Sequence, residues 1–406
     1  MVMYFLIFNL VGFYSITKAI KDRAFILLIF NLLIVSTYGL KLILSCNGYF
    51  VVYTACNPDS EMELLIIFLI ILPFFLGQHF SITKQSLKVD LSFGRLTIED
   101  QRIPIIYLFG LVLFAWSGSD SFQEMGRAGV EQATGNGVFN LVTSSVTMLI
   151  LTTARYRSFI YTVITAILAL AATGTKQMLF LPIILYFGER FRDYHGKLHF
   201  TKVIFGCVAA LVTAQIVRSS SNSDINIDFL LFNLAIPFDA LDNAVTVIKS
   251  AYEHDLAKLL YPSDFKYFAE SLMNFIPRSI WSEKPEVMGF WRIQRDYLPE
   301  LYTSTSGMSV ATSLPVDILL SFGLIFGSFI LFVFARFISC VDRRQIDLGI
   351  AYPLLLVFSV DFSRGGFRSV GMTILIYLTM VFLSKLIGFS KYLVREALNN
   401  PRKSES

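Results

Sequence analysis

Residues 315–335 read PVDILLSFGLIFGSFILFVFA, and residues 62–81 read MELLIIFLIILPFFLGQHFS. Each run is about 20 residues long and almost wholly apolar, enough for a helix to cross a hydrocarbon slab of roughly 30 Å. Working outward, the same pattern recurs along the 406-residue chain, which is 55% hydrophobic, 15% aromatic and only 16% charged. Soluble proteins carry roughly 25% charged residues. Thirty-nine Phe and a mean hydropathy of +0.62 leave more apolar surface than one core could hide. The expectation is an all-α polytopic membrane protein.

Apolar runs separated by charged breaks give eleven candidate spans, near 1–16, 24–45, 62–81, 103–118, 138–152, 159–173, 177–189, 203–217, 315–335, 348–361 and 370–389. The sixth and seventh are short. They suit a hairpin that turns within the membrane at Thr173, Gly174, Thr175 and Lys176, provided that protein or water shields the turn. The chain thus divides into residues 1–217 with eight spans, a long loop at 218–314, and residues 315–406 with three spans and a tail.

Lys and Arg are unequally shared between the two sides. Loops 17–23, 82–102, 153–158, 189–202, 336–347 and 391–406 hold twenty of them, whereas the short loops opposite hold Arg127, Lys176, Arg364 and Arg368. Short basic loops stay cytoplasmic, so eleven spans put the C-terminus inside and the N-terminus outside. The first span, starting at Met1 with no basic region before it, is read as a retained helix. The net charge of +4 is spread in short clusters between spans, which speaks for orientation and against a nucleic-acid surface.

Loop 218–314 breaks the rhythm of short connections, and loops this long usually have a task. Phe229–Ile248 and Asp264–Ile276 carry apolar residues at helical spacing, as helices lying on a membrane surface or capping a cavity do. Pro277 to Pro315 is rich in Pro, Gly, Ser and Thr, the composition of an ordered loop.

Several chemistries have no sequence support. The four His are His79, His195, His199 and His254; His195 and His199 are spaced i, i+4, but no Cys or carboxylate completes a zinc tetrahedron. Cys46 and Cys56 share an outer loop, where an oxidising compartment allows a disulfide, while Cys207 and Cys340 suit packing roles. Glycine-rich phosphate loops and a nucleophile elbow are missing.

What stands out is a concentration of cations among aromatic rings. Arg278, Lys284, Arg292 and Arg295 alternate with Trp281, Trp291, Tyr297 and Tyr302 between residues 277 and 302. Guanidinium forks bind phosphate oxygens in pairs, and aromatic faces stack on sugars, so the pattern suits a ligand with both groups. The same residues also suit an interfacial aromatic belt with snorkelling cations.

Further cations sit at span ends: Lys176 after the Thr-Gly-Thr turn, and Arg364 and Arg368 around Gly365-Gly366-Phe367, just after Asp361. Gathered beneath the large loop, they would make a cationic well able to hold a departing diphosphate; a local Asp361–Arg364 ion pair is the plainer alternative. Arg127 suits a solvated loop equally well. Carboxylates near such a well are Asp239 and Asp242, which share a helix face, with Glu283, Glu286 and Asp317.

The run Ile276-Pro277-Arg278-Ser279-Ile280-Trp281-Ser282-Glu283-Lys284-Pro285-Glu286-Val287-Met288-Gly289, then Ala311-Thr312-Ser313-Leu314-Pro315-Val316-Asp317 and Ser321-Phe322-Gly323, resembles the O-antigen polymerase (Wzy) family of oligosaccharide repeat-unit polymerases. Members share a Pro-Arg, Lys-Pro and Gly loop, then an acidic residue and Phe-Gly entering the next helix. Lys176 stands where their turn usually has Arg, and Asp317 where many have Glu. Specific residues cover about a tenth of the chain.

The resemblance implies a GT-C-like glycosyltransferase of the bacterial inner membrane that needs no nucleotide-sugar, metal or other cofactor. It would polymerise repeat units carried on undecaprenyl diphosphate, commonly beside a Wzz-type chain-length regulator. Arg278, Lys284, Lys176 and Arg364 would grip diphosphates, with Arg292, Arg295 and Arg368 in reserve. Asp239 would orient or deprotonate the acceptor hydroxyl; Trp281 and Trp291 would line the sugar path, and Asp317 would belong to the substrate site. An O-antigen ligase and a lipid-linked oligosaccharide flippase are the alternatives.

Overall fold

The computed structural model describes residues 2–40, 61–80, 240–254, 265–273, 281–283, 313–343 and 373–382, with single positions between 145 and 191, at 260 and between 354 and 371. Among the described residues every regular element is helical. The chain forms two compact units, one of residues 1–88, 190–346 and 355–373, the other of 89–189, 347–354 and 374–406.

In the first unit, α1 is Val2–Lys21, α2 is Phe25–Ile34 and α3 is Glu61–His79. Helices α4 (Ala240–His254) and α5 (Phe265–Leu272) come from the long loop, and α6 is Leu314–Arg343. Of these, α3 and α6 are long and apolar enough to cross a membrane. Helix α7, Thr373–Phe382, is a shorter apolar helix that lies, after its first residue, in the second unit. The fold is that of a helical membrane protein in its broad features. The candidate spans at 103–118, 138–152, 159–173, 177–189 and 203–217 and the turn at 173–176 lie outside the described residues, except for the single positions 145 and 188.

The surfaces agree with that class. Leu6, Ile7, Leu10, Phe13 and Tyr14 of α1 are exposed, as are Met62, Leu65, Leu69 and Leu76 of α3 and Ile325, Phe326, Phe329, Val333 and Phe337 of α6. Successive members are separated by about one helical turn or less, or two between Leu69 and Leu76, on one side of each rod, forming apolar stripes too large for ordinary water-facing helices. Polar side chains are inside instead. Asn31 of α2 and Gln78 of α3 exchange two amide hydrogen bonds, 3.0 and 2.8 Å, and the Ser339 hydroxyl of α6 donates to the Gln78 carbonyl at 3.0 Å. Such interhelical bonds join helices where hydrophobic attraction between them is weak.

Phenylalanine fills the space between these bonds. Phe30 of α2 meets Phe74 of α3, Phe334 of α6 and Phe362 at centroid distances of 5.3–5.9 Å, and Phe334 stacks on Phe362 at 5.8 Å and 12°. Small residues bring α3 and α6 together: a methyl on Gly77 would overlap the Phe332 carbonyl and sit 3.2 Å from the Ala335 Cβ.

The α1–α2 turn, the end of α3 and the end of α6 converge at one end of the unit. Arg343 pairs with Asp22 at 2.9 Å, the Leu27 amide donates to Asp342 at 2.9 Å, and Arg336 donates to the Phe80 carbonyl at 3.2 Å. His79 shares a 3.0 Å hydrogen bond with Ser15. The described helix ends that border or enter three of the basic loops therefore meet at one end. The sequence reading closes the first span at 16, whereas α1 continues to Lys21, since Lys18 and Lys21 favour a helix C-terminus. Arg23 has φ +55°. Ala24 N–H bonds to the Ala19 carbonyl at 2.9 Å and Arg23 N–H to that of Ile20 at 3.1 Å, the hydrogen-bond pair of a Schellman stop.

Two expected spans are more complex than straight helices. After Ile34, α2 passes into a π-helical segment, Val35–Leu40. The span expected at 315–335 is a broken helix: Gly323 has φ 69° and ψ 176°, a conformation open essentially to glycine alone. In an unbroken helix Ile318 and Gly327 would stand about 13.5 Å apart along the axis. Here Ile318 Cγ2 comes within 2.9 Å of where a Gly327 Cβ would lie, so α6a (314–322) folds back on α6b (324–343). The latter, about 30 Å long, is by itself the length of a membrane crossing.

The long-loop helices form as amphipathic spacing predicts, at 240–254 and 265–272; residues 229–239 of the first expected helix lie outside the described set. Leu241, Ala244, Val245, Val247 and Ile248 of α4 are buried, and α4 packs on α3 and the π-helical segment. On α5, Phe265 and Phe268 hold Phe322 at 6.1 and 5.0 Å, beside the break.

Gly323→Ala forces a side chain into this backbone conformation and should cost roughly 1–3 kcal/mol. Thermal unfolding of the detergent-solubilised chain should show a lower Tm, and an unchanged Tm would mean that the break tolerates a Cβ.

Candidate functional site

Folding α6a back carries its first turn into the interior. Leu314 to Ser321 are all buried, including Asp317 at 1% exposure. Pro315 suits this first turn, where an amide hydrogen would lack an intrahelical partner, and the Ser313 carbonyl accepts the Val316 and Asp317 amides, both at 3.1 Å.

Three distant stretches converge on this turn. The Tyr38 hydroxyl, on the π-helical segment, donates to Ser313 Oγ, and both residues are wholly buried. The Asp317 carboxylate is near enough to interact electrostatically with Tyr38. On its other side Gly366, at φ +60°, packs so closely that a methyl there would overlap Asp317 Oδ2 and stand 2.9 Å from Cγ. Tyr38 itself is seated by α1, because the next residue, Gly39, touches the Asn9 side chain, leaving a Cβ only 3.2 Å from Asn9 Cγ. Asn9, Tyr38, Ser313, Asp317 and Gly366 form a buried polar seam in the bundle. Carboxylates at such depth are expensive and usually functional. A further hydroxyl, Ser321, is buried one turn after Asp317 without a hydrogen-bond partner.

Of the residues singled out from sequence, Asp317 belongs to this seam. Trp281 is half-buried and opens a short turn whose Ser282 and Glu283 are exposed. Arg278, Lys284, Arg292, Arg295, Trp291, Arg364, Arg368, Lys176 and Asp239 lie outside the described residues, as do Cys46, Cys56 and Cys207. Asp242 falls on α4. Cys340 is a free thiol of intermediate exposure. Among the described residues no group of three or more His, Cys, Asp or Glu could hold a metal.

Tyr38 is the residue that sequence reading passes over. It sits in an apolar run, yet its hydroxyl needs a partner at membrane depth. That requirement signals a polar neighbour, but which one, 275 residues away in sequence, emerges only on folding. Chemically the seam buries a carboxylate against Gly366. Searches against family models, curated proteins and solved structures find no match.

Replacing Gly366 by Ala should lower the Tm through collision with Asp317. Combining it with Asp317→Gly should recover part of the loss, because neighbouring substitutions are coupled, commonly by about 0.5–3 kcal/mol. A double variant in which the two losses simply add would refute the contact.

Proposed function

We propose that this chain is an O-antigen polymerase, a glycosyltransferase of the bacterial inner membrane with about eleven spans and a GT-C-like plan. It transfers a growing glycan from undecaprenyl diphosphate to a repeat unit on the same lipid, at the periplasmic face, and releases undecaprenyl diphosphate. The N-terminus is periplasmic and the C-terminus cytoplasmic, as the loop charges require. A Wzz-type regulator is the expected partner, and donor and acceptor lipids enter from the bilayer.

One observation carries most of this reading. The motif segment with Asp317 and Phe322-Gly323, and the glycine run flanked by Arg364 and Arg368, stand out separately in the sequence, and Asp317 touches Gly366. In the proposed chemistry the acceptor hydroxyl attacks the anomeric carbon, the bond to the diphosphate oxygen breaks, and the hydroxyl proton passes to a base. Asp239 is assigned that role. Arg278, Lys284, Lys176 and Arg364 stabilise charge growing on the departing diphosphate, with Arg292, Arg295 and Arg368 around them. Removing one such preorganised donor typically costs about 100- to 1000-fold in rate. Trp281 and Trp291 line the sugar path.

The interrupted helix at Gly323 also favours a second reading, since transporters bind substrates at broken helices. A flippase would leave repeat-unit lipid on the inner leaflet when lost; a polymerase would leave it on the outer leaflet. Loss of a ligase would leave polymer unattached to lipid A core.

Arg278→Ala should abolish long glycan chains on gels while lipid carrying a single repeat unit persists. Chains as long as those of the wild type would overturn the assignment.

A further inference from the structure

The polymerase reading gives the seam that ends at Gly366 a more definite role. We infer that Tyr38 is a positioning residue for the diphosphate-binding arginines, acting through Ser313, Asp317 and Gly366. This inference rests on that reading and extends it to a residue remote from its motifs.

A continuous chain of contacts links the tyrosine to Gly366. Tyr38 holds Ser313 by one hydrogen bond, and the Ser313 carbonyl holds the Asp317 amide. The Asp317 carboxylate abuts Gly366, whose positive φ leaves no room for a side chain. Arg364 and Arg368 are each two residues from Gly366 in sequence. Two peptide units span at most about 7 Å, so whatever fixes Gly366 constrains where both arginines begin. The π-helical segment bearing Tyr38 is a rare geometry, found often at functional sites. Packing alone gives little reason for the hydroxyl: a Phe fills the same volume, and a buried polar pair is seldom superior to apolar packing for stability. What the hydroxyl adds is orientation.

Affinity for undecaprenyl diphosphate, titrated into the full chain in detergent, is the measurement. Tyr38→Phe keeps the ring and removes the donor; Ser313→Ala removes the acceptor. Losing this hydrogen bond should weaken binding by at most roughly 10-fold in each variant, the upper range for one neutral hydrogen bond. The double variant should be no weaker than the poorer single one, because both remove the same bond. In a polymerisation assay the loss should fall mainly on KM for the lipid donor, with the Tm of the double variant, which leaves no unmatched hydroxyl from this pair, near that of the wild type. Wild-type affinity and KM in Tyr38→Phe and Ser313→Ala overturn the positioning role and leave the polymerase reading intact. A wild-type chain that binds no undecaprenyl diphosphate overturns the polymerase reading as well.

Discussion

Within hydrocarbon, a backbone that leaves helical geometry must satisfy its amides and carbonyls inside the protein. That constraint governs the region around Gly323. The chain stops its helix there in a glycine-only conformation, and the half-helix before the break is buried on every side from Leu314 to Ser321. The aromatic clasp of Phe265 and Phe268 on Phe322, the small residue at Gly327 and the π-helical segment that brings Tyr38 to Ser313 all serve to enclose it.

The surface and the interior of the unit use polar groups differently. At one end, Asp22, Arg343, Arg336 and His79 bind turns and helix termini to one another near the surface, where paired charges cost little and contribute little. The seam of Tyr38, Ser313, Asp317 and Gly366 is fully enclosed, where each polar group must be matched or it destabilises the fold by about 1–3 kcal/mol. Between the two, the Asn31–Gln78 pair and the phenylalanine cluster hold α2, α3 and α6 in register.

Membrane character, helical class and the location of the long-loop helices are legible in the sequence, because apolar length and 3.6-residue periodicity are local properties of the chain. Residues 62–81 read as a helix and form α3 at Glu61–His79. Residues 315–335 read equally well as one straight span and do not form one, because hydropathy counts apolar side chains and is blind to a single backbone rotation. Asp317 stands out as a site candidate since a carboxylate at a span is costly wherever it points. Tyr38 does not, because tyrosine in an apolar run satisfies every local criterion for packing.

By itself the amino-acid order determined how much of the chain must avoid water and where the cations gather along it; these follow from composition and spacing. Only the tertiary structure decided that α6 doubles back and that positions 38, 313, 317 and 366 share one seam. Close packing and hydrogen-bond pairing between distant segments depend on three-dimensional proximity, which no local pattern encodes.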